Sequence, residues 1–161
     1  MLQALDTALL RAMRRHGHAP PVEHAVARFS LLGEHGSVWL AIAAAGALLD
    51  RDRRDDWLRA GGTVVAAYVA NQAIKFTVRR PRPQLPDLPP VVPTHSQRSY
   101  PSAHAATSFA AARAMGDLVP PAVLYALAVP LALSRPYLGV HYPSDTLAGA
   151  ALGSAVAELA R

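Results

Sequence analysis

The sequence predicts an all-α, polytopic membrane bundle of about five membrane helices preceded by an N-terminal amphipathic helix. Three observations carry this. Apolar residues make up 52% of the 161 residues, and they fall into four or five segments of 14 to 20 residues. Segments such as AIAAAGALL and VVAAYVA lack the polar stripe that each helix of a soluble bundle needs. No convincing strand and no internal repeat is visible. Composition alone leaves a soluble bundle open, because 33 of the apolar residues are Ala and mean hydropathy is only +0.16. Charged residues are 17% of the chain and cluster between apolar stretches, which excludes a disordered chain or a coiled coil. The absence of Cys excludes a disulfide framework and thiolate or zinc-thiolate chemistry. Length suits a single domain over 1–161.

Residues 1–15 place Leu2, Leu5, Leu9 and Met13 on one helical face, with Arg11, Arg14 and Arg15 elsewhere. The expectation is an interfacial helix over 1–20 that stays on the mature protein, since its charges follow its apolar residues, the reverse of a secretory signal. Gly36 to Leu49 is uncharged and extends back to Phe29, and the polar stretch DRDRRDD follows at 50–56. Ala60 to Ile74 is the next apolar run. The segment 76–99, rich in Pro and Arg, is predicted as loop because Pro81, Pro83, Pro86, Pro89, Pro90 and Pro93 deny it a continuous helix. Ser102 is a good N-cap for a helix running toward Pro120. Leu118 to Ser134 is expected to be kinked at Pro130, and Ser144 to Leu159 carries Gly149 and Gly153 at a spacing that lets helices approach closely. None of these runs reaches the roughly 18 charge-free residues of an unambiguous span.

Three clusters interrupt these segments. In KFTVRRPRP, the chain's only Lys, Lys75, is followed at a distance by Arg82 and Pro83. Snorkelling cations would explain the pair, and so would an anion site in which Lys is a point charge and Arg a bidentate fork. In YPSAH, Pro101 and Ser102 precede a helix whose first-turn N–H groups form a ready anion site, and His104 sits in that turn. An ordinary N-cap beside a surface His is the alternative. In SRPYLGVHYPSD, Ser134 and Arg135 lead to His141, and Asp145 follows four residues later. That spacing lets the carboxylate accept an imidazole N–H and leave the other ring nitrogen free, unless Asp145 merely caps the helix. If the segments alternate in direction, all three clusters lie at one end of the bundle. Three cations, two His and one Asp there make a phosphate site with a nucleophile and an acid. A metal site fits less well, with cations beside both His and only one carboxylate.

These motifs resemble the phosphatidic acid phosphatase type 2 superfamily, the helical fold shared by lipid phosphatases, bacterial acid phosphatases and vanadium haloperoxidases. The family pattern is met by Lys75, Arg82 and Pro83, then Pro101, Ser102 and His104, then Ser134, Arg135, His141 and Asp145, with Ala103 where the family usually has Gly. The resemblance implies that His141 attacks phosphorus to form a phosphohistidine and that Asp145 orients it. It makes His104 the acid for the leaving oxygen and then the base for water. Lys75, Arg82, Ser102 and Arg135 would bind the phosphoryl oxygens, with Pro83, Pro101 and Ser134 in support. No metal, no organic cofactor and no nucleic acid is implied; the partners are a membrane lipid substrate and the phosphate product.

The runs LLGEHG, YPSAHA and LGVHYPSD are similar to short family members linked to arabinan-precursor synthesis for the cell wall. That similarity puts the 5-phosphate of decaprenylphosphoryl-phosphoribose first among substrates, ahead of a polyprenyl diphosphate and then phosphatidylglycerol phosphate or phosphatidate. The neutral loop residues His95, Ser96 and Gln97 suit a hydroxyl-bearing head group. A vanadium haloperoxidase would use the same residues, and a non-catalytic scaffold binding anionic lipid would need only the basic ones. The location is a cell membrane, multi-pass; arginines divide almost evenly between the two sides and leave sidedness open, as is oligomeric state.

Overall fold

The computed structural model describes residues 2–94 and 96–161, without the Leu2 side chain. His95 therefore lies outside the described residues. Among the described residues there are seven α-helices: α1 (Leu2–Arg14), α2 (Pro20–Leu31), α3 (Ser37–Leu49), α4 (Arg54–Val78), α5 (Ala103–Ala114), α6 (Pro121–Tyr137) and α7 (Pro143–Leu159). Among the described residues the only β pairing is an isolated bridge between Pro81 and Arg98. The fold is all-α.

Several boundaries differ from expectation. The N-terminal helix stops at Arg14, well short of residue 20, and α2 is a separate helix, of which only Phe29 to Leu31 fall within the apolar run expected to end at Leu49. Pro20 and Pro21 open α2 where a missing N–H costs nothing. Its Glu23, His24 and Arg28 hide it from a search for apolar runs. The break before α3 is built on His35 and Gly36, both left-handed at φ 51° and 74°. Gly is required at the second, because a Cβ there would press on Val64 and Thr107 at 3.1 and 3.2 Å.

The polar stretch 50–56 is largely helical. Asp50 accepts from Arg53 Nε at 2.8 Å and from Trp57 Nε1 at 3.3 Å, and Asp55 and Asp56 sit in the first turn of α4, where carboxylates favour the helix dipole. The long loop begins at Arg79 rather than residue 76. Helix α6 starts at Pro121 and continues through Pro130 and Pro136 to Tyr137, so Arg135 joins Ser134 in its last turns.

Helix α5 is the axis of the bundle. It is buried along most of its length and packs chiefly on α7, then on α6 and α4. Its Ala-rich sequence permits this, and on the facing helix a Cβ at Gly149 would run into the Ser102 carbonyl oxygen and one at Gly153 into that of Ala106. The hydrophobic core gathers Trp39, Trp57, Val64, Met115 and Leu131 from α3, α4, the end of α5 and α6. Large apolar side chains remain exposed on α3, α4, α6 and α7, among them Leu48, Val69, Leu133 and Leu147. Among the described residues no single helix is long and apolar enough to cross a membrane alone; the pair Pro20–Leu31 and Glu34–Leu49, bent by 40°, meets that criterion together.

Candidate active site

Helices α4 to α7 and the segments that join them deliver the site. Lys75 is buried in the last turn of α4, and the chain then turns at Arg79, left-handed at φ 52°. The returning strand of loop is held by Arg82 N–H donating to the Gln97 carbonyl at 3.2 Å and Ser99 N–H to Arg80 at 2.8 Å. Pro83 and Pro101 are both buried in it, and Asn71, one turn before Lys75, donates Nδ2–H to the Pro101 carbonyl at 3.0 Å. Helix α5 opens on Ser102, whose hydroxyl accepts from Ala105 N–H at 3.5 Å. The N-termini of α5 and α7 are tied by Ser102 N–H donating to the Asp145 carbonyl at 2.9 Å. The three sequence clusters therefore do meet, and Lys75, Arg82, His104, Arg135 and His141 line one cavity of about 430 Å³.

The two histidines are held differently. Arg82 Nη1 donates to His141 Nε2 at 3.1 Å and to the Val140 carbonyl at 2.6 Å. Since a guanidinium only donates, His141 Nε2 carries its lone pair toward the cations and the neutral ring holds its proton on Nδ1. Burial, reinforced by the charges of Arg82, Arg135 and Lys75, keeps the His141 imidazole well below the usual histidine range. The ring is therefore uncharged at neutral pH. His104, in the first turn of α5, donates Nε2–H to the Ser30 carbonyl at 3.0 Å, which leaves Nδ1 for proton exchange.

The expected hydrogen bond from His141 to Asp145 is not made. Nδ1 stands 3.6 Å from Asp145 Oδ2, and this buried atom has no hydrogen-bond partner among the described residues. Asp145 is committed elsewhere: Oδ2 accepts the Tyr142 N–H at 2.9 Å, and Oδ1 accepts from Arg80 Nη1 at 2.7 Å. The capping role and the orienting role, which the spacing left as alternatives, compete for one carboxylate. In this structure capping wins, with the negative charge still beside the ring.

Sequence reasoning missed three residues that hold the site. Ser30 of α2 accepts from Arg135 Nη1 at 2.6 Å and from the Ser134 hydroxyl at 3.1 Å, while its carbonyl takes His104. Arg80 donates to Asp145 and, through Nη2, to Asp6 of α1 at 2.7 Å, and its guanidinium lies 4.0 Å from the centre of the Tyr142 ring. Asp6 also accepts from Ser144 N–H at 3.0 Å and from the Ser144 hydroxyl. A signal for Asp6 existed. It lies with Leu10 and Arg14 at four-residue spacing, and that is the buried face of α1, whereas Leu5 and Leu9 are 58% and 48% exposed. Nothing comparable marks Ser30, whose helix went unrecognised.

Three cations around an unprotonated imidazole nitrogen, with a second imidazole and a helix N-terminus alongside, suit a phosphoryl group and its transfer. The comparisons with known proteins agree. The PAP2 superfamily matches residues 56–161. Decaprenylphosphoryl-5-phosphoribose phosphatase of Mycolicibacterium smegmatis is 40% identical over 144 residues, covering 89% of this chain and 80% of that protein. The protein of the same name from Mycobacterium tuberculosis is 46% identical over 127 residues, covering 79% and 72%. A transmembrane PAP2 type phosphatidylglycerolphosphate phosphatase from Bacillus subtilis superposes with a TM-score of 0.80 at 25% identity, covering 99% of this chain and 84% of that one.

Proposed function

Since the chain belongs to the PAP2 superfamily, we propose that it is an integral membrane lipid phosphatase that removes the 5-phosphate from decaprenylphosphoryl-5-phosphoribose, in cell-wall arabinan precursor synthesis. The observation that carries the phosphatase chemistry is the convergence of Lys75, Arg82 and Arg135 on one cavity with His141 and His104. The relatives' shared name carries the substrate. Exposed apolar side chains on α3, α4, α6 and α7 support burial of those helices in lipid, with the exposed Leu5 and Leu9 of α1 at its surface.

In this reading His104 Nδ1 takes up a proton together with the phosphate group as the ester binds; His141 Nε2 then attacks phosphorus as the ester P–O bond breaks, and the His104 imidazolium gives that Nδ1 proton to the leaving sugar oxygen. A phosphohistidine results. Arg82 exchanges its bond to Nε2 for the phosphoryl oxygens, which Lys75, Arg135, Ser102 and the α5 N-terminus also hold as charge builds in the transition state. His104 then takes a proton from the attacking water, the P–N bond breaks, and phosphate leaves. Asp145 stabilises the His141 imidazolium through its charge and the short segment it caps. Pro83, Pro101 and Ser134 shape the backbone around these groups.

The test is phosphate release by purified full-length protein in detergent from three lipids offered in competition. Decaprenylphosphoryl-5-phosphoribose should give the highest kcat/KM. Much faster hydrolysis of a polyprenyl diphosphate or of phosphatidate overturns the substrate assignment, and no release from any of the three overturns the enzyme.

A further inference from the structure

We infer that Arg28 of α2 binds a second phosphate of the substrate, the diester joining the sugar to its polyprenyl chain, and thereby selects doubly phosphorylated lipids over simple phosphomonoesters. The inference rests on the substrate reading above and goes beyond it by naming the residue that reads the head group.

The catalytic cavity is not confined to the catalytic residues. One wall is formed by α2, where His24, Ala27 and Arg28 lie at helical spacing, and the other by Tyr68 and Gln72 of α4, which lead down to Lys75. Helix α2 packs on α6 and is pinned there by Ser30 to Arg135 and His104, but it has no substantial packing against α4. The space between them therefore runs continuously from the catalytic cations to the outside of the bundle.

The cations along that path are in different states. Arg82 is occupied by the Ser96 and Val140 carbonyls and His141, and Arg135 by Ser30, while Lys75, also without a hydrogen bond or ion pair among the described residues, is buried at the inner end beside them. Arg28 lines the same cavity, is exposed, and among the described residues makes no hydrogen bond or ion pair. Its neighbour His24 is engaged at Nδ1 with the Pro20 carbonyl, and His35 across the cavity with the Tyr68 hydroxyl, both at 2.9 Å. Arg28 is thus the cation held in reserve on the outer wall.

A pentose with a phosphomonoester at one end and a phosphodiester at the other needs anion recognition at two separated places. With the monoester among Lys75, Arg82 and Arg135, the diester is carried outward along the gap toward the lipid, past Arg28. A guanidinium suits its two non-bridging oxygens. Phosphatidate has only the first of these groups and gains nothing from Arg28.

The experiment measures kcat/KM of the full chain in detergent for decaprenylphosphoryl-5-phosphoribose and for phosphatidate, in the wild type, Arg28→Ala and Arg28→Lys. Arg28→Ala should lower the ratio of the two values about tenfold or more, mainly through KM, as loss of one charged contact does. Arg28→Lys should restore most of it. An unchanged ratio in Arg28→Ala, whether both activities fall together or neither does, overturns the proposal. A wild type that fails to hydrolyse the phosphoribose lipid while hydrolysing phosphatidate overturns the substrate reading, and this proposal falls with it.

Discussion

The contact between α5 and α7 and the gap between α2 and α4 are built on opposite principles. Along the first, Gly149 and Gly153 bring two backbones together more closely than any side chain would allow, and Ser102 and Asp145 are tied through main-chain atoms. Across the second, long polar side chains face open space. The tight contact fixes the groups to which the proposed mechanism assigns the reaction: Ser102, His104, His141 and Asp145. In the proposed function, the open side is where a substrate with a head group and a long tail has room to enter. Precision at a phosphoryl centre comes from packing that excludes alternatives, and access comes from leaving two neighbouring helices unpacked.

The largest expected effect that sharpens this contrast comes from the rigid side. His141→Ala should reduce phosphate release by about 10³-fold or more, with substrate still bound, because the nucleophile is lost. Residual single-turnover formation of a phosphoenzyme in that variant breaks the assignment. Gly153→Ala should follow, since its Cβ would meet a backbone oxygen that cannot swing aside. Thermal unfolding in detergent should show a destabilisation of about 1–3 kcal/mol, whereas an unchanged Tm would mean that the two helices have slack.

Arg82→Gln acts on the pH profile. The Arg82 charge helps hold His141 below its ordinary value, so its removal lets His141 take up a proton at higher pH. The acid limb of kcat/KM for the residual activity should move to higher pH, and a stationary limb would show that His141 is not the titrating group. The smallest effect belongs to Gly62 of α4, where an added Cβ meets nothing within 4 Å. Gly62→Ala should raise stability by roughly 0.5–1 kcal/mol, the opposite sign from Gly153→Ala at the same chemical change.

The residues proposed for catalysis were legible because each belongs to a short run whose chemistry is local. A lone Lys at the end of an apolar segment, Ser at a helix start after Pro, and His four residues before Asp all identify themselves without tertiary information. Helix α2 was not, because its face toward the cavity is polar and a search for apolar runs passes over it. The His141 to Asp145 bond illustrates the limit of spacing: four residues bring the groups to 3.6 Å, but which partner the carboxylate accepts depends on Arg80 and the Tyr142 N–H.

By itself, then, the sequence determined the helical class, the order of the three motifs, the Ser102 cap and the pair of glycines on α7, since these follow from local propensity and periodicity. Only the tertiary structure decided that Ser30 would hold Arg135 and His104, that Asp6 and Arg80 would share Asp145's end of the site, and that α2 and α4 would stand apart. The reason is physical. Those arrangements join residues as distant in the chain as Ser30 and Arg135, and nothing in the local pattern of either one encodes which buried polar group the other will satisfy.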